Sequence, residues 1–327
     1  MSVAYKTKIS ALLVILIFLI GLYVYGIFNN TMISNKITQA PLLSSFVPSH
    51  VKEIELSTTQ GSLIVLQKGD SGWVVLSGKN RFPASSLKVE AFLNMIADLK
   101  RGKLISSEKA DAVRFDLDVY HAKKITMRDA KGTRQWSILI GKPGQSGSEE
   151  YVQLSNDAGI FLAQSSMNFY VAQEAAYWYD LEVFPEDVTG NAIKEISVSG
   201  IIPLDGEGKT VKKENYLIMK SETGGVSRWA VPGKNIILDQ ASVQLLCNRL
   251  AVLQGIDLAE KSHNLSSDFT LSVTTESGAH YSIFAKAIEG GVQYSIDRVN
   301  SLYVFIVNTN ALIRAVMPLE NLIVRQK

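Results

Sequence analysis

VKEIELS (Val51–Ser57) and IKEISVS (Ile193–Ser199) are the same strand written twice. Apolar and polar residues alternate in both, which is the period of a half-buried strand. The residues after each copy also repeat. SLIVLQ from Ser62 and NYLIMK from Asn215 are further alternating runs. Each leads through a Gly-containing turn to a tryptophan strand, GDSGWVVL with Trp73 and TGGVSRWAV with Trp229. A helical pattern comes next. In LKVEAFLNMIADL, Leu87, Ala91, Met95 and Leu99 recur every four residues, joined by Phe92 and Ile96. In QASVQLLCNRLAVLQ, Val243, Leu246, Leu250 and Leu253 form one stripe and Asp239 is placed to cap the first turn. Gly102 and Gly255 stand where left-handed C-caps would end these helices.

Hairpins close both copies. KKITMRD turns through AKGT into RQWSILIG, and DFTLSVTT turns through ESGA into HYSIFAKA. EEYVQLS–NDAG–IFLAQ matches VQYSIDR–VNS–LYVFIVN, and each half ends in a short helical stretch, SSMNFYVAQEAAYWYD or TNALIRAVMP. The pattern predicts an α+β fold: two tandem modules, each an antiparallel sheet with one main helix on a face. The expected bounds are 51–187 and 188–327, with the change near Pro185–Gly190.

Upstream, Ile9 to Phe28 (ISALLVILIFLIGLYVYGIF) carry no charge. About 20 apolar residues in a helix span a hydrocarbon core of ~30 Å. Residues 1–28 therefore read as a cytoplasmic tip and a transmembrane anchor. Lys6 and Lys8 precede the run and the next charge is Lys36, so the N-terminus is expected inside and residues 29–327 outside the cytoplasm. Tyr23 and Tyr25 suit the outer interface. The competing reading, a cleaved signal peptide, wants a shorter apolar region and a closely following A-x-A site, and neither is present. A lipoprotein signal needs a nearby cysteine, whereas Cys247 stands alone in the chain. Residues 29–50, polar and holding Pro41 and Pro48, read as a stalk.

The chain has 33 Lys and Arg against 31 Asp and Glu, and Lys6 and Lys8 account for the difference. A balanced outer part argues against nucleic acid as a partner. One cysteine excludes an internal disulfide, and Cys247 on a helix reads as core packing with a reactive thiol as the alternative.

In order along the chain, the N-terminal anchor, GWVVLSGKNRFPASSLKVEAFLNMIADLKRGKLIS, FDLDVYHAKKITMRD and ILIGKPGQSGSEEYVQLSNDAGIFLAQ resemble a bacterial family known as domain of unknown function 4340. The resemblance covers the first module well and the second more loosely. Members are often encoded beside gliding-motility-type ABC transporter components. It thus implies an accessory envelope protein with transporter subunits as partners, and no catalytic residue to carry over. Asp116 stands where the family often has Gly, which leaves the conformation of that turn open.

Candidate chemistry is sparse. His50, His121, His263 and His280 lack the close pairing of zinc ligands, so no metal or cofactor is expected. DGEGKT (205–210) has Pro203 where a phosphate loop needs its first Gly. Ser85 and Lys88 satisfy S-x-x-K at a helix start, but a capping serine explains them as well. Asp116, Asp118, Glu149 and Glu150 lie near loops, with Arg114 and Lys123 as expected salt-bridge partners. The aromatic cluster Phe169, Tyr170, Tyr177, Trp178, Tyr179 and Phe184 is dense. It reads either as packing between the halves or, for Phe169, Tyr170, Tyr177, Trp178 and Tyr179, as a partner-binding or membrane-facing surface. Three functions are expected, in order: a non-enzymatic anchored accessory subunit, an envelope lipid- or glycan-binding module, and an envelope hydrolase using Ser85 or the acidic loops.

Overall fold

The computed structural model describes residues 15–25, 39–59, 61–223, 226–261 and 266–324. Helix α1 (residues 15–25) is the described part of the apolar run, and its side chains are all exposed. Residues 9–14, 26–28 and 29–38 lie outside the described residues, as do Lys6, Lys8 and His263. No helix among the described residues is long and apolar enough to cross a membrane.

Two antiparallel sheets carry the rest. The first holds β1 (Val51–Ser57), β2 (Leu63–Gly69), β3 (Gly72–Ser77), β4 (Asn80–Pro83), β5 (Lys103–Ser106), β6 (Lys123–Asp129), β7 (Gln135–Pro143), β8 (Glu149–Leu154) and β9 (Ile160–Gln164), in the order β4-β3-β2-β1-β6-β7-β8-β9-β5. The second holds β10 (Ile193–Pro203), β11 (Val211–Thr223), β12 (Val226–Ala230), β13 (Asp257–Glu260), β14 (Phe269–Thr275), β15 (His280–Ile288), β16 (Gln293–Arg298) and β17 (Tyr303–Asn308). Its order is β12-β11-β10-β14-β15-β16-β17-β13. Apart from β4, each strand of one sheet has its counterpart at the same place in the other.

The correspondence reaches fine geometry. A bulge falls between Val51 and Glu53 where β1 meets β6, and between Ile193 and Glu195 where β10 meets β14. Lys68 lies 5.7 Å from the Trp73 ring centre across the β2–β3 pair, and Lys220 lies 5.6 Å from that of Trp229 across β11–β12. The ammonium is drawn to the negative face of the indole.

By packing, the chain forms two units, Met1–Leu76 with Ser86–Glu174, and Ser77–Ser85 with Ala175–Lys327. The division thus falls at 174/175, upstream of the Pro185–Gly190 turn, and the second unit also takes in 77–85. In the first unit, Ile54, Leu56, Ile125, Met127, Ile138 and Ile140 point to one face of the sheet and are buried. Helix α2 (Ser86–Asp98) buries Val89, Phe92, Leu93 and Ile96. This is not the fourfold stripe read from the sequence, since Leu87 is 73% exposed and Ala91 lies outside the core. A spacing of three and four residues follows a 3.6-residue turn, whereas strict fours drift around the helix. Short α3 (Met167–Val171) buries both of its ends. Residues 40–42, read as stalk, pair with the chain just after α2. Leu42 N–H donates to Leu99 O at 2.8 Å, and Leu42 and Leu43 are buried.

In the second unit, α5 (Gln240–Ala251) buries Val243, Leu246, Cys247 and Leu250, as its stripe predicts. Asp239 accepts from the Ala241 N–H at 3.2 Å and from Ser242 Oγ at 2.7 Å, a cap that satisfies first-turn donors. Short α4 (Ala175–Trp178) and α6 (Thr309–Ala315) complete the unit. The two expected glycine caps differ. Gly102 has φ +70°. Gly255 does not enter the left-handed region, because α5 has already ended. Its N–H reaches Leu181 O at 2.8 Å, and a Cβ there would sit 3.1 Å from Ile306 O.

Candidate functional site

The sheet of the first unit is not bare on its second face. After β5 the chain forms a 3-10 helix, Lys109–Phe115, that lies over it. Ala112, Leu117 and Ile160 make a small second core there, with Ile105, Phe115, Leu139 and Tyr151 against it. Asp116 makes the turn that returns the chain, at φ 57° and ψ 35°. Asp tolerates this left-handed conformation better than most residues, so the turn keeps its shape without glycine. Gly141 in β7 lets the cover sit close. A Cβ there would overlap the Phe115 carbonyl oxygen and lie 3.1 Å from Leu117 Cγ.

A pocket of about 430 Å³ opens where this cover ends. Its floor is one row across three strands, with Ser57 of β1 opposite Lys124 of β6, and Lys124 opposite Leu139 of β7. Cross-strand partners point to the same face, so these three side chains are neighbours. Thr58, Thr59 and Gly61 form one wall, and Leu117, Asp118, Val119 and Ala122 form the other.

The second wall is held by its own hydrogen bonds. The Asp118 carboxylate accepts from the Tyr120 N–H at 2.9 Å and faces His121 Nδ1 at 2.8 Å. His121 holds the Asp118 carboxyl below the usual carboxylate range, and Asp118 in turn raises the imidazole pKa. Ala122 N–H closes the turn onto Asp118 O at 2.9 Å. Val119, which lines the pocket, is 87% exposed, and Tyr120 beside it in sequence is 79% exposed. No hydrogen bond or ion pair engages the Lys124 ammonium among the described residues.

The residues singled out by sequence fall elsewhere, with the exception of Asp118. Salt bridges from the acidic loops to Arg114 and Lys123 take other partners. Arg114 pairs with Asp111, Lys123 donates to Asn168 Oδ1 at 2.7 Å, and buried Glu150 accepts from Ser165 Oγ at 2.8 Å. Glu149 accepts from Ser146. Ser85 stands just before α2 and lines no part of the pocket. The 205–210 segment is a built turn, because the Asp205 carboxylate accepts from the N–H groups of Glu207, Lys209 and Thr210. His50 is exposed, and His280 lies 3.1 Å from both Thr274 Oγ1 and Ser282 Oγ. No group of three His, Cys, Asp or Glu able to hold a metal ion occurs among the described residues.

The aromatic cluster divides. Trp178 is wholly buried, Tyr179 and Phe184 nearly so, and the Tyr179 ring packs 5.1 Å from Phe82. Those side chains belong to a core and present no surface. Tyr170 packs on Phe92 with ring centres 5.1 Å apart, Tyr177 is half-buried, and Phe169 alone of the five is largely exposed, at 53%. The contiguous surface expected of all five is therefore absent.

The pocket was missed in the sequence because its walls come from three separated segments with no shared period. The signal nearest to it was the FDLDVYH motif, which supplies the cover's turn and one wall.

The family model for a domain of unknown function (DUF4340) matches residues 73–268. That stretch includes FDLDVYH and parts of both units, and it excludes Ser57 to Gly61. No curated protein and no solved structure matches the chain.

Proposed function

We propose that this chain, which belongs to the family of the domain of unknown function (DUF4340), is a membrane-anchored, extracytoplasmic accessory protein, with the subunits of an ABC-type transporter as its partners. The observation that carries this reading is α1. It lies within a charge-free run from Ile9 to Phe28, and its apolar side chains are all exposed, from 53% at Leu22 to 67% at Phe18. Each such side chain left in water forfeits about 1.5–3 kcal/mol relative to burial. A bilayer removes that cost, and Lys6 and Lys8 favour an N-terminus on the cytoplasmic side. The transporter partnership rests on the family resemblance and its gene neighbourhoods.

The non-enzymatic part of the reading is supported by how the polar groups are used. The carboxylates of Asp111, Asp118, Asp205 and Asp239 cap turns and helices or pair locally, and the unit cores are apolar. A hydrolase using Ser85 would need a nucleophile and base sharing a concave site, and the pocket of the first unit does not include Ser85.

The test is topology followed by partnership. Protease added to intact spheroplasts should digest residues 29–327, and the chain should stay with the membrane in alkaline carbonate. Mild detergent should then release it together with transporter subunits. Protection in spheroplasts, or release from lysed cells without detergent, overturns the anchored reading. Purification without any transporter subunit overturns the partnership.

A further inference from the structure

The pocket of the first unit has two chemically different sides. Ser57, Thr58 and Lys124 offer two hydroxyls and an ammonium, and Val119 and Leu139 offer hydrocarbon, with almost wholly buried Leu117 behind them. At about 430 Å³ it falls within the range of small-molecule sites. Asp118 lines the same pocket and keeps its charge, but its carboxylate faces His121 and the Tyr120 N–H and forms no ion pair with Lys124. Lys124 is left with no ion-pair partner among the described residues, with the Thr58 hydroxyl beside it and the Ser57 hydroxyl resting on the Lys124 carbonyl oxygen at 3.4 Å, a long contact it can exchange for a ligand oxygen. A charge-assisted hydrogen bond in a partly apolar recess is the strong kind.

The second unit supplies an internal comparison. At the matching register Ser199 pairs with Thr270, and Thr270 with Phe284, so the cation is missing. The cavity at that end of its sheet is lined instead by Asp268 and narrowed where Gly208 meets Gly291. The duplicated scaffold has kept the place and not the charge.

We propose that the pocket of the first unit binds a small amphiphilic anion. An oxyanion head sits on Lys124, Thr58 and Ser57, and a short hydrocarbon portion lies against Val119 and Leu139. One molecule binds per chain, because the second unit lacks the cation. The site stands or falls independently of the membrane anchor and of any transporter.

The probe is hexyl phosphate, titrated calorimetrically into the full chain held in nanodiscs of zwitterionic lipid, with empty discs subtracted. The expected result is saturable binding at one site, weakened ~10-fold or more by Lys124→Met. Lys124→Arg should retain it, as should Thr270→Ala in the second unit. Inorganic phosphate should bind more weakly than hexyl phosphate, since it cannot use the apolar wall, and hexanol more weakly because it lacks the charge. The proposal is overturned by absence of saturable binding, by unchanged binding to a folded Lys124→Met chain, by two sites per chain, or by hexanol or phosphate binding as tightly as the ester. A Lys124→Met chain that fails to fold hands the decision to Ser57→Ala with Thr58→Val, for which weakened binding supports the site and unchanged binding overturns it.

Discussion

Gly141→Ala isolates the cover over the first unit's sheet. Gly141 is not in the left-handed region, so alanine meets no backbone strain there. Only space is at issue. The new methyl would overlap the Phe115 carbonyl oxygen and sit 3.1 Å from both the Phe115 carbonyl carbon and Leu117 Cγ. Backbone cannot rotate away as a side chain can, so the segment carrying Phe115 and Leu117 must lift. Overpacking of this kind costs about 1–3 kcal/mol. If Leu117, now 2% exposed, leaves its seat, the loss moves toward the ~2–5 kcal/mol of a deleted buried leucine. For a unit of this size ~2 kcal/mol lowers Tm by about 4–8 °C. The matched control is Gly69→Ala, also at an ordinary φ, where the methyl meets only Gly72 O at 3.8 Å. Thermal unfolding of both full-length variants by circular dichroism makes the comparison. A Gly141→Ala chain that melts with wild type, or a Gly69→Ala chain that falls as far, refutes the steric argument and with it the closeness of the cover.

Three further outcomes are expected. Leu246→Ala in α5 should cost about 2–5 kcal/mol, whereas Leu245→Ala, 46% exposed on the neighbouring position, should stay within ~0.5 kcal/mol. Denaturant melts with equal effects would show the helix face to be misassigned. The His121 pKa should lie above its ordinary value near 6.5 and fall toward it in Asp118→Asn, as read by NMR of the ring protons. A raised folded pKa means that this pair's contribution is complete below about pH 6.5 and is lost as pH rises through the folded value, so a downward shift contradicts the contact. Burial pushes the Cys247 thiol up to about 12, so Ellman's reagent at pH 8 should leave it unmodified until the chain is denatured. Rapid labelling of the native protein would show that the helix exposes it.

The sheets were legible because their residues alternate. VKEIELS became β1 as written and IKEISVS opens β10, and the tryptophan strands and hairpins come in the expected order. Helix α5 was legible to its cap, since Asp239 and the stripe through Leu246 agree. Helix α2 was legible as a helix and not as a face, because its apolar residues surround it. Leu87 is exposed while Val89 is inside. The cover Lys109–Phe115 left no periodic trace, for a short stretch of 3-10 helix is too brief to show one. The pocket was hidden for a related reason. Lys124 reads as an ordinary solvent-facing strand residue until the loop after Asp116 is seen to arch over it. The aromatic segment misled by composition alone, since density of Tyr and Trp is the same in a core as on a contact surface, and Trp178 is in a core.

The second unit is assembled from two pieces of chain, Ser77–Ser85 and everything after Glu174. Within it Ser85 N–H donates to Trp178 O at 2.8 Å and Asp180 N–H to Pro83 O at 2.9 Å. A ribosome therefore delivers the short piece early and its companions about ninety residues later. Until then Phe82, on the edge strand β4, has no Tyr179 to lie on. For the same reason no single cut frees one unit intact. A gene ended after Glu174 would yield a product whose Phe82 is left without the Tyr179 ring that covers it and whose Pro83 and Ser85 lose their backbone partners at Asp180 and Trp178.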